Sequence, residues 1–181
     1  MEDTIEARMK NYVEQAHYLR GKFIHSYSQL EYLSLDIISK VRPLTIYRNV
    51  NFNFPQSVQS RVKLLRQLVT LQGPLKAHQD LVEKLCQKLE DHLETRQFLS
   101  HGLLSAAKDR NDKFSIKIIR NNPKAENVWK PQTAIYFAEE FQDTIEISCV
   151  ELNSLLPEVR SLYDRLNFEG SEPLGEFKHL D

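Results

Sequence analysis

The sequence is poor in glycine, proline, cysteine and tryptophan. With 5 Gly and 7 Pro in 181 residues, it has neither the composition of a fibrous repeat nor that of a low-complexity linker. The two cysteines, Cys86 and Cys149, lie far apart in helix-like segments, so we expect buried free thiols rather than a disulfide or a metal site. No segment approaches the roughly 20 consecutive apolar residues that a membrane-spanning helix needs, so we expect no span.

The charges nearly cancel, which limits the possible partners. The chain has 24 Lys and Arg against 25 Asp and Glu, so it offers no broad positive field and any RNA site must be local. The first six residues are acidic and lack the features of a secretory signal, and we therefore expect a cytoplasmic protein. There is no paired-histidine spacing and no Gly-rich phosphate loop, so the sequence predicts neither a metal nor a cofactor.

Apolar periodicity predicts a mostly α fold, a four- to five-helix bundle. The first helix runs from Ile5 to about Val41, the second is capped by Ser57, the third runs from about Leu75 into Arg96, and the last is capped by Thr133. The third helix is expected either to end at Gly102 or to continue for another turn through Leu103 to Ala107.

A short segment between the third and last helices has a different pattern. Residues Phe114 to Ile119 partly alternate with period two, which predicts a small β-hairpin inserted there, with Asn127 to Trp129 as its second strand. We expect a single helical domain over residues 1–169 and a flexible C-terminal tail over residues 170–181.

The most distinctive string is Arg96-Gln97-Phe98-Leu99-Ser100-His101-Gly102, near the end of the third predicted helix. It resembles the Arg-x4-6-His signature of the HEPN superfamily, and the order of predicted elements from about Lys22 to Tyr163 resembles that group too. The resemblance implies a metal-independent endoribonuclease whose two motifs form one composite site in a homodimer. It suggests a toxin or defence effector, with a cognate antitoxin or regulatory protein as a further partner.

The chemistry of the two motif residues fits that implication. Histidine transfers protons near neutral pH, and arginine offers a permanent planar cation to a phosphate. We therefore expect His101 to act as general acid and base and Arg96 to bind the scissile phosphate. Five residues along an ideal helix place these side chains roughly 140° apart, so one helix makes a poor dyad and a two-fold partner is expected.

Other side chains are expected to support this site. Gln97 and Ser100 lie inside the motif, and Glu31 interrupts an apolar helix face, where its carboxylate can orient Arg96 or His101. Basic residues that can contact RNA are Arg61, Lys113 and Lys117. Leu103 stands where a subset of the resembled proteins has a tyrosine, so a switch by tyrosine modification is not expected.

Structural interpretations compete with each of these assignments. His101 can cap the helix through the dipole, while Arg96 pairs with Glu31 or with another carboxylate such as Asp91 or Glu94. The lysines can protect a hairpin edge from strand pairing instead of binding RNA. The alternative function is therefore a non-catalytic HEPN-like module that binds nucleotides or a protein partner.

Overall fold

A computed structural model describes residues 4–52, 55–111, 113–121 and 131–166. These residues form a mostly helical bundle with a small antiparallel sheet, which confirms the predicted fold class. The helices are α1 (Ile5–Val41), α2 (Val58–Thr70), α3 (Gln79–Asp91), α4 (Leu93–His101) and α5 (Ala138–Arg165), and the strands are β1 (Leu103–Lys108), β2 (Phe114–Asn121) and β3 (Pro131–Phe137). Short 3₁₀ helices at Thr45–Tyr47 and Pro74–His78 flank α2.

The long helix α1 forms the centre of the bundle. Its apolar residues recur every three to four positions, so they form one stripe, and Phe23, Tyr27 and Leu30 have no exposed surface. The other four helices and the first two strands all pack against this helix, with the most extensive contact to α5. The predicted span of α1 is confirmed, and Gly21 does not interrupt it.

Helix α2 begins as its sequence predicts. The Ser57 hydroxyl accepts a hydrogen bond from the Ser60 backbone N–H at 3.2 Å, and the Ser60 hydroxyl returns the contact in a capping box. The apolar face of α2 packs on α3, where Cys86 is buried. Both cysteines are buried free thiols, and burial raises the pKa of the Cys86 thiol to about 12, so it stays protonated.

The predicted third helix is divided at His92 into α3 and α4. His92 leaves helical geometry, and its Nε2 lies 3.2 Å from the Glu151 carboxylate on α5. Lys88 also binds this carboxylate, and together with His92 it holds the pKa of Glu151 below its usual range. Because these contacts come from a distant part of the chain, the local sequence contains no signal for the break.

The sheet has three strands in the order β1-β2-β3, where the sequence predicts a two-stranded hairpin. The strand predicted at Phe114 is confirmed, and it lies in the centre, with Leu103 opposite Ile119 and Ile135 opposite Lys117. The predicted second strand at residues 127–129 lies outside the described residues, as does the predicted tail.

Two segments near the sheet are strands. The helix ends at Gly102, as one of the two alternatives predicts, and Leu103 to Ala107 form strand β1 rather than another helical turn. The predicted helix cap at Thr133 is wrong, because Thr133 lies in β3. Both segments pair with the alternating strand β2, and these hydrogen bonds outweigh their weak local preference for helix. The last helix therefore begins at Ala138, and it continues through Pro157. None of the described helices is long and apolar enough to cross a membrane.

Gly102 joins the motif helix to the sheet through a close approach of the backbone. A Cβ at this position would overlap the Ile118 side chain and the carbonyl oxygen of Phe98. The constraint is space, because the φ angle of Gly102 is −84° and any residue adopts that value. The residue after His101 must therefore be glycine for β2 to pack against the end of α4.

We predict that Gly102→Ala lowers the free energy of unfolding by about 1–3 kcal/mol, because the added methyl group overpacks this junction. The matched control is Gly21→Ala in the exposed middle of α1, where a Cβ meets nothing within 4 Å. That change should stabilise the protein by about 0.5–1 kcal/mol. Urea denaturation of both variants measures the difference, and equal stabilities would contradict the proposed packing constraint.

Candidate functional site

Arg96 extends from α4 toward α1. Its Nη2 lies 3.7 Å from Glu31 Oε2, which is close enough for an ion pair but too far for a hydrogen bond. Its Nε is buried and has no hydrogen-bond partner among the described residues. This contact agrees with both interpretations of Glu31, as a residue that supports the site and as a purely structural partner of Arg96.

Arg61 occupies the same carboxylate more closely. Its Nη1 donates to Glu31 Oε1 at 2.9 Å, its Nε donates to the carbonyl oxygen of Pro55 at 3.1 Å, and its side chain is only 12% exposed. Two guanidinium groups therefore share one carboxylate, which leaves a net positive charge in a half-buried position. Arg96, with 29% of its side chain exposed, is the cation of this cluster that solvent reaches more easily.

Tyr27 forms the buried floor of this cluster. Its hydroxyl donates to the carbonyl oxygen of Leu89 at 2.9 Å, and burial together with the nearby Glu31 carboxylate raises the pKa of the phenol. The phenol therefore stays protonated and acts as a structural donor between α1 and α3. It does not supply a general base.

His101 is exposed at the C-terminal end of α4, and an arginine that sequence analysis missed lies beside it. Arg20 on α1 donates from Nη1 to the carbonyl oxygen of Gly102 and from Nη2 to that of Ser100, both at 3.3 Å. These two carbonyls flank His101, so Arg20 fixes the end of the motif helix and adds positive charge there. The acceptors are backbone atoms about 80 positions away along the chain, so no sequence pattern could identify the contact.

The motif helix contacts α1 at two levels. Arg96 is directed at Glu31, whereas the carbonyls around His101 are bound by Arg20. Those two residues of α1 are separated by about 16 Å along the helix axis, at 1.5 Å per residue. Among the described residues, no hydrogen bond joins the side chains of Arg96 and His101.

Gln97 contacts the sheet, because it lies on a different side of α4 from Arg96. Its Oε1 accepts a hydrogen bond from Arg120 Nη1 at 2.8 Å, and the Arg120 guanidinium lies 4.1 Å from the centre of the Phe98 ring. Arg120 also donates to the Gln132 side chain at 2.8 Å. This arginine therefore fastens the motif helix to β2 and β3, and Gln97 has a structural partner.

The three residues predicted to contact RNA fall in two separate places. Arg61 is directed inward at Glu31, while Lys113 and Lys117 lie at the sheet, where the Lys113 ammonium is 5.4 Å from the centre of the Phe137 ring. Lys117 lies on the central strand, paired on both sides. Protection of an exposed edge therefore does not explain Lys117.

Two surface depressions lie away from the motif, and the described residues contain no group of metal ligands. Two depressions are found around residues 76–81 and between His78 and the C-terminal half of α5. Neither includes a motif residue. Among the described residues, no three His, Cys, Asp or Glu side chains are grouped so that they could hold a metal ion.

Comparison with known proteins does not extend this description. No protein-family model matches the chain, and neither the curated proteins nor the solved structures include a match.

We predict that Glu31→Gln lowers the free energy of unfolding by about 2 kcal/mol, because it leaves two half-buried guanidinium groups facing each other without a carboxylate. The control is Glu14→Gln, whose partner Lys10 is exposed, and this change should cost less than about 0.5 kcal/mol. Chemical denaturation at low and high salt measures both. If Glu31→Gln is neutral, the charge cluster does not contribute to the stability of the bundle.

Proposed function

We propose that this protein is a metal-independent endoribonuclease of HEPN type, with a composite site formed by two copies of the chain. His101 is the proton-transfer group and Arg96 binds the scissile phosphate. The substrate is single-stranded or looped RNA, and the products carry a 2′,3′-cyclic phosphate. A cytoplasmic role as a toxin or defence effector, controlled by a cognate antitoxin or regulatory protein, belongs to the same proposal.

The observation that carries the proposal is the exposed His101 on a rigid junction. Gly102 holds the end of α4 against β2, and Arg20 binds the carbonyls on both sides of His101. An exposed imidazole with a fixed backbone and an adjacent cation suits proton transfer at an anionic substrate.

The state of Arg96 supports its role as the phosphate ligand. Glu31 already has its shorter contact with Arg61, and Arg96 Nε has no partner in the described chain. The Arg96 side chain, which is 29% exposed, therefore retains positive charge that a phosphate can neutralise. Glu31 acts here as a positioning residue, because it contacts the arginine and leaves the reacting atoms to other groups.

The reaction follows from these roles. One His101 removes the proton from the ribose 2′-hydroxyl, and the 2′-oxygen forms a bond to phosphorus while the bond to the 5′-oxygen breaks. The second His101 of the pair protonates the leaving 5′-oxygen. Arg96 stabilises the extra negative charge on the phosphorane-like transition state.

Purified protein should cleave single-stranded RNA in the presence of EDTA, and His101→Ala should reduce the rate at least about 100-fold by removing the proton-transfer group. His78→Ala is the matched control, because His78 lies before α3, far from the motif, and should leave the rate unchanged. Gel analysis of end-labelled RNA measures cleavage. Activity that survives His101→Ala, or that EDTA removes, would contradict the proposal.

A mixing experiment tests the composite site. Because the site uses two His101 side chains, one from each chain, we predict that excess His101→Ala inactivates the wild-type protein when the two are mixed. With about nine parts of the variant to one part of wild type, random exchange places about 90% of the wild-type chains in mixed dimers, so the rate per wild-type chain should fall about tenfold. A rate that stays proportional to the amount of wild-type protein, although subunits exchange, would place a complete site in one chain.

A second candidate function is a non-catalytic module that binds nucleotides or a protein partner. It is favoured by the intramolecular partners of two motif side chains, because Arg96 is paired with Glu31 and Gln97 with Arg120. In that case Arg96→Ala would weaken binding of a ligand or partner, and the wild-type protein would leave RNA intact. The cleavage assay above separates the two functions.

A further inference from the structure

The outer face of the sheet carries exposed apolar side chains that the proposed active site does not use. Strand register places its nine outward side chains in three rows, namely Leu103, Ile119 and Thr133; Ser105, Lys117 and Ile135; and Ala107, Ser115 and Phe137. Three of the large side chains are well exposed, Leu103 at 71%, Ile135 at 65% and Phe137 at 47%. We call this surface the outer sheet face.

The charge on the outer sheet face is positive. Lys117 lies at its centre, between Ser105 and Ile135, and the Lys113 ammonium lies over the Phe137 ring at its border. None of the nine outward positions is acidic. The face is therefore suited to an anionic partner, although the whole chain has a net charge of −1.

The acidic residues next to Phe137 are already engaged. Glu140 accepts a hydrogen bond from the Phe137 backbone N–H at 3.3 Å, and Glu139 accepts one from the Tyr12 hydroxyl at 3.1 Å. Both carboxylates belong to the beginning of α5, at the end of the sheet opposite to Leu103. They border the outer sheet face without entering it.

The face is continuous with the candidate site. Leu103 follows His101 and Gly102 directly in the chain, so its row of side chains adjoins the end of α4. The row that contains Phe137 lies four residues further along the strands, which is about 13 Å away. A ligand lying along the strands from Phe137 would reach His101 at its other end.

We infer that the outer sheet face binds unpaired bases of single-stranded RNA and leads the strand to His101. Phe137 offers an aromatic surface for stacking, and Ile135 and Leu103 extend the apolar platform. Lys117 and Lys113 contact phosphates. Sheets that display aromatic side chains bind two or three splayed bases in this way, and stacking tolerates any sequence. The inference rests on the proposed function for the identity of the substrate, but binding is measured separately from cleavage.

The size and charge of the face favour RNA over a second copy of the chain. Three strands about 4.8 Å apart and some six residues long cover roughly 300 Å², well below the ~800 Å² per partner of a stable protein interface. A two-fold contact centred on the face would also bring the two Lys117 side chains together. Two or three bases with their phosphates fit both the area and the charge.

The test measures binding of a fluorescein-labelled single-stranded RNA 12-mer of random sequence by fluorescence anisotropy in EDTA. The protein is the full chain carrying His101→Ala, so that the RNA stays intact. Adding Phe137→Ala should weaken binding about tenfold, as expected for the loss of one stacked base. Tyr18→Ala is the control, because Tyr18 on α1 is also exposed, at 62%, and also has a lysine, Lys22, over its ring. It should leave the Kd unchanged.

A charge variant gives an independent measurement. Lys117→Gln should weaken binding and reduce the slope of log K against log salt concentration by about 0.7, the value for one phosphate contact on a single strand. Lys63→Gln, an exposed lysine on α2, should leave the slope unchanged. Thermal melting shows that each variant is folded; the Phe137 side chain is exposed, and the Lys117 side chain is half-buried.

Each outcome decides the inference. Selective weakening by Phe137→Ala and Lys117→Gln supports it, even if the wild-type protein cleaves nothing and the proposed function fails. Equal effects of these changes and their controls, or no binding of RNA, overturn it, even if cleavage by His101 is established. If Ile135→Ser dissociates a dimer and leaves RNA binding unchanged, the face is a contact between copies of the chain. That result would also overturn the inference.

Discussion

Burial of one face of α1 is the interaction on which the rest of this structure depends. Phe23, Tyr27 and Leu30 have no exposed surface, and the other four helices pack around the same helix. Three of these helices, α2, α3 and α4, have 13, 13 and 9 residues and are marginal alone, so packing on a shared partner helps to hold them. The same helix contributes Arg20 and Glu31, which contact the end of α4 and Arg96, respectively.

The junction at Gly102 links the bundle to the sheet. A helix ends, a strand begins and β2 packs against the turn within two residues, because glycine alone leaves room for Ile118. His101 is consequently held at a border between two surfaces, the end of α4 and the outer sheet face. That position gives an exposed histidine a fixed backbone on one side and an apolar, positively charged surface on the other.

Four arginines show how a nearly neutral chain can contain local positive sites. Arg120 and Arg61 each have close intramolecular acceptors and are nearly buried, and Arg20 is bound to two carbonyls at the end of α4. Arg96 differs, because it shares a carboxylate that Arg61 already binds more closely. Arg96 therefore keeps part of its positive charge, and it is the arginine of the four that belongs to the motif.

The sequence by itself determined the features that depend on local signals. The span of α1, the Ser57 cap of α2, the strand at Phe114 and the Arg96 to His101 string all follow from periodicity, capping or composition over a few neighbouring residues. The division at His92, the strands at Leu103 and Thr133, and the contacts of Arg20 and Arg120 depended on the tertiary structure alone. In each of these cases the deciding partner lies far away in the chain or is a backbone atom, which has no sequence signature. The same reason separates the motif from its contacts: the spacing of Arg96 and His101 is visible in the sequence, but only packing against α1 places Glu31 beside Arg96 and Arg20 at the carbonyls around His101.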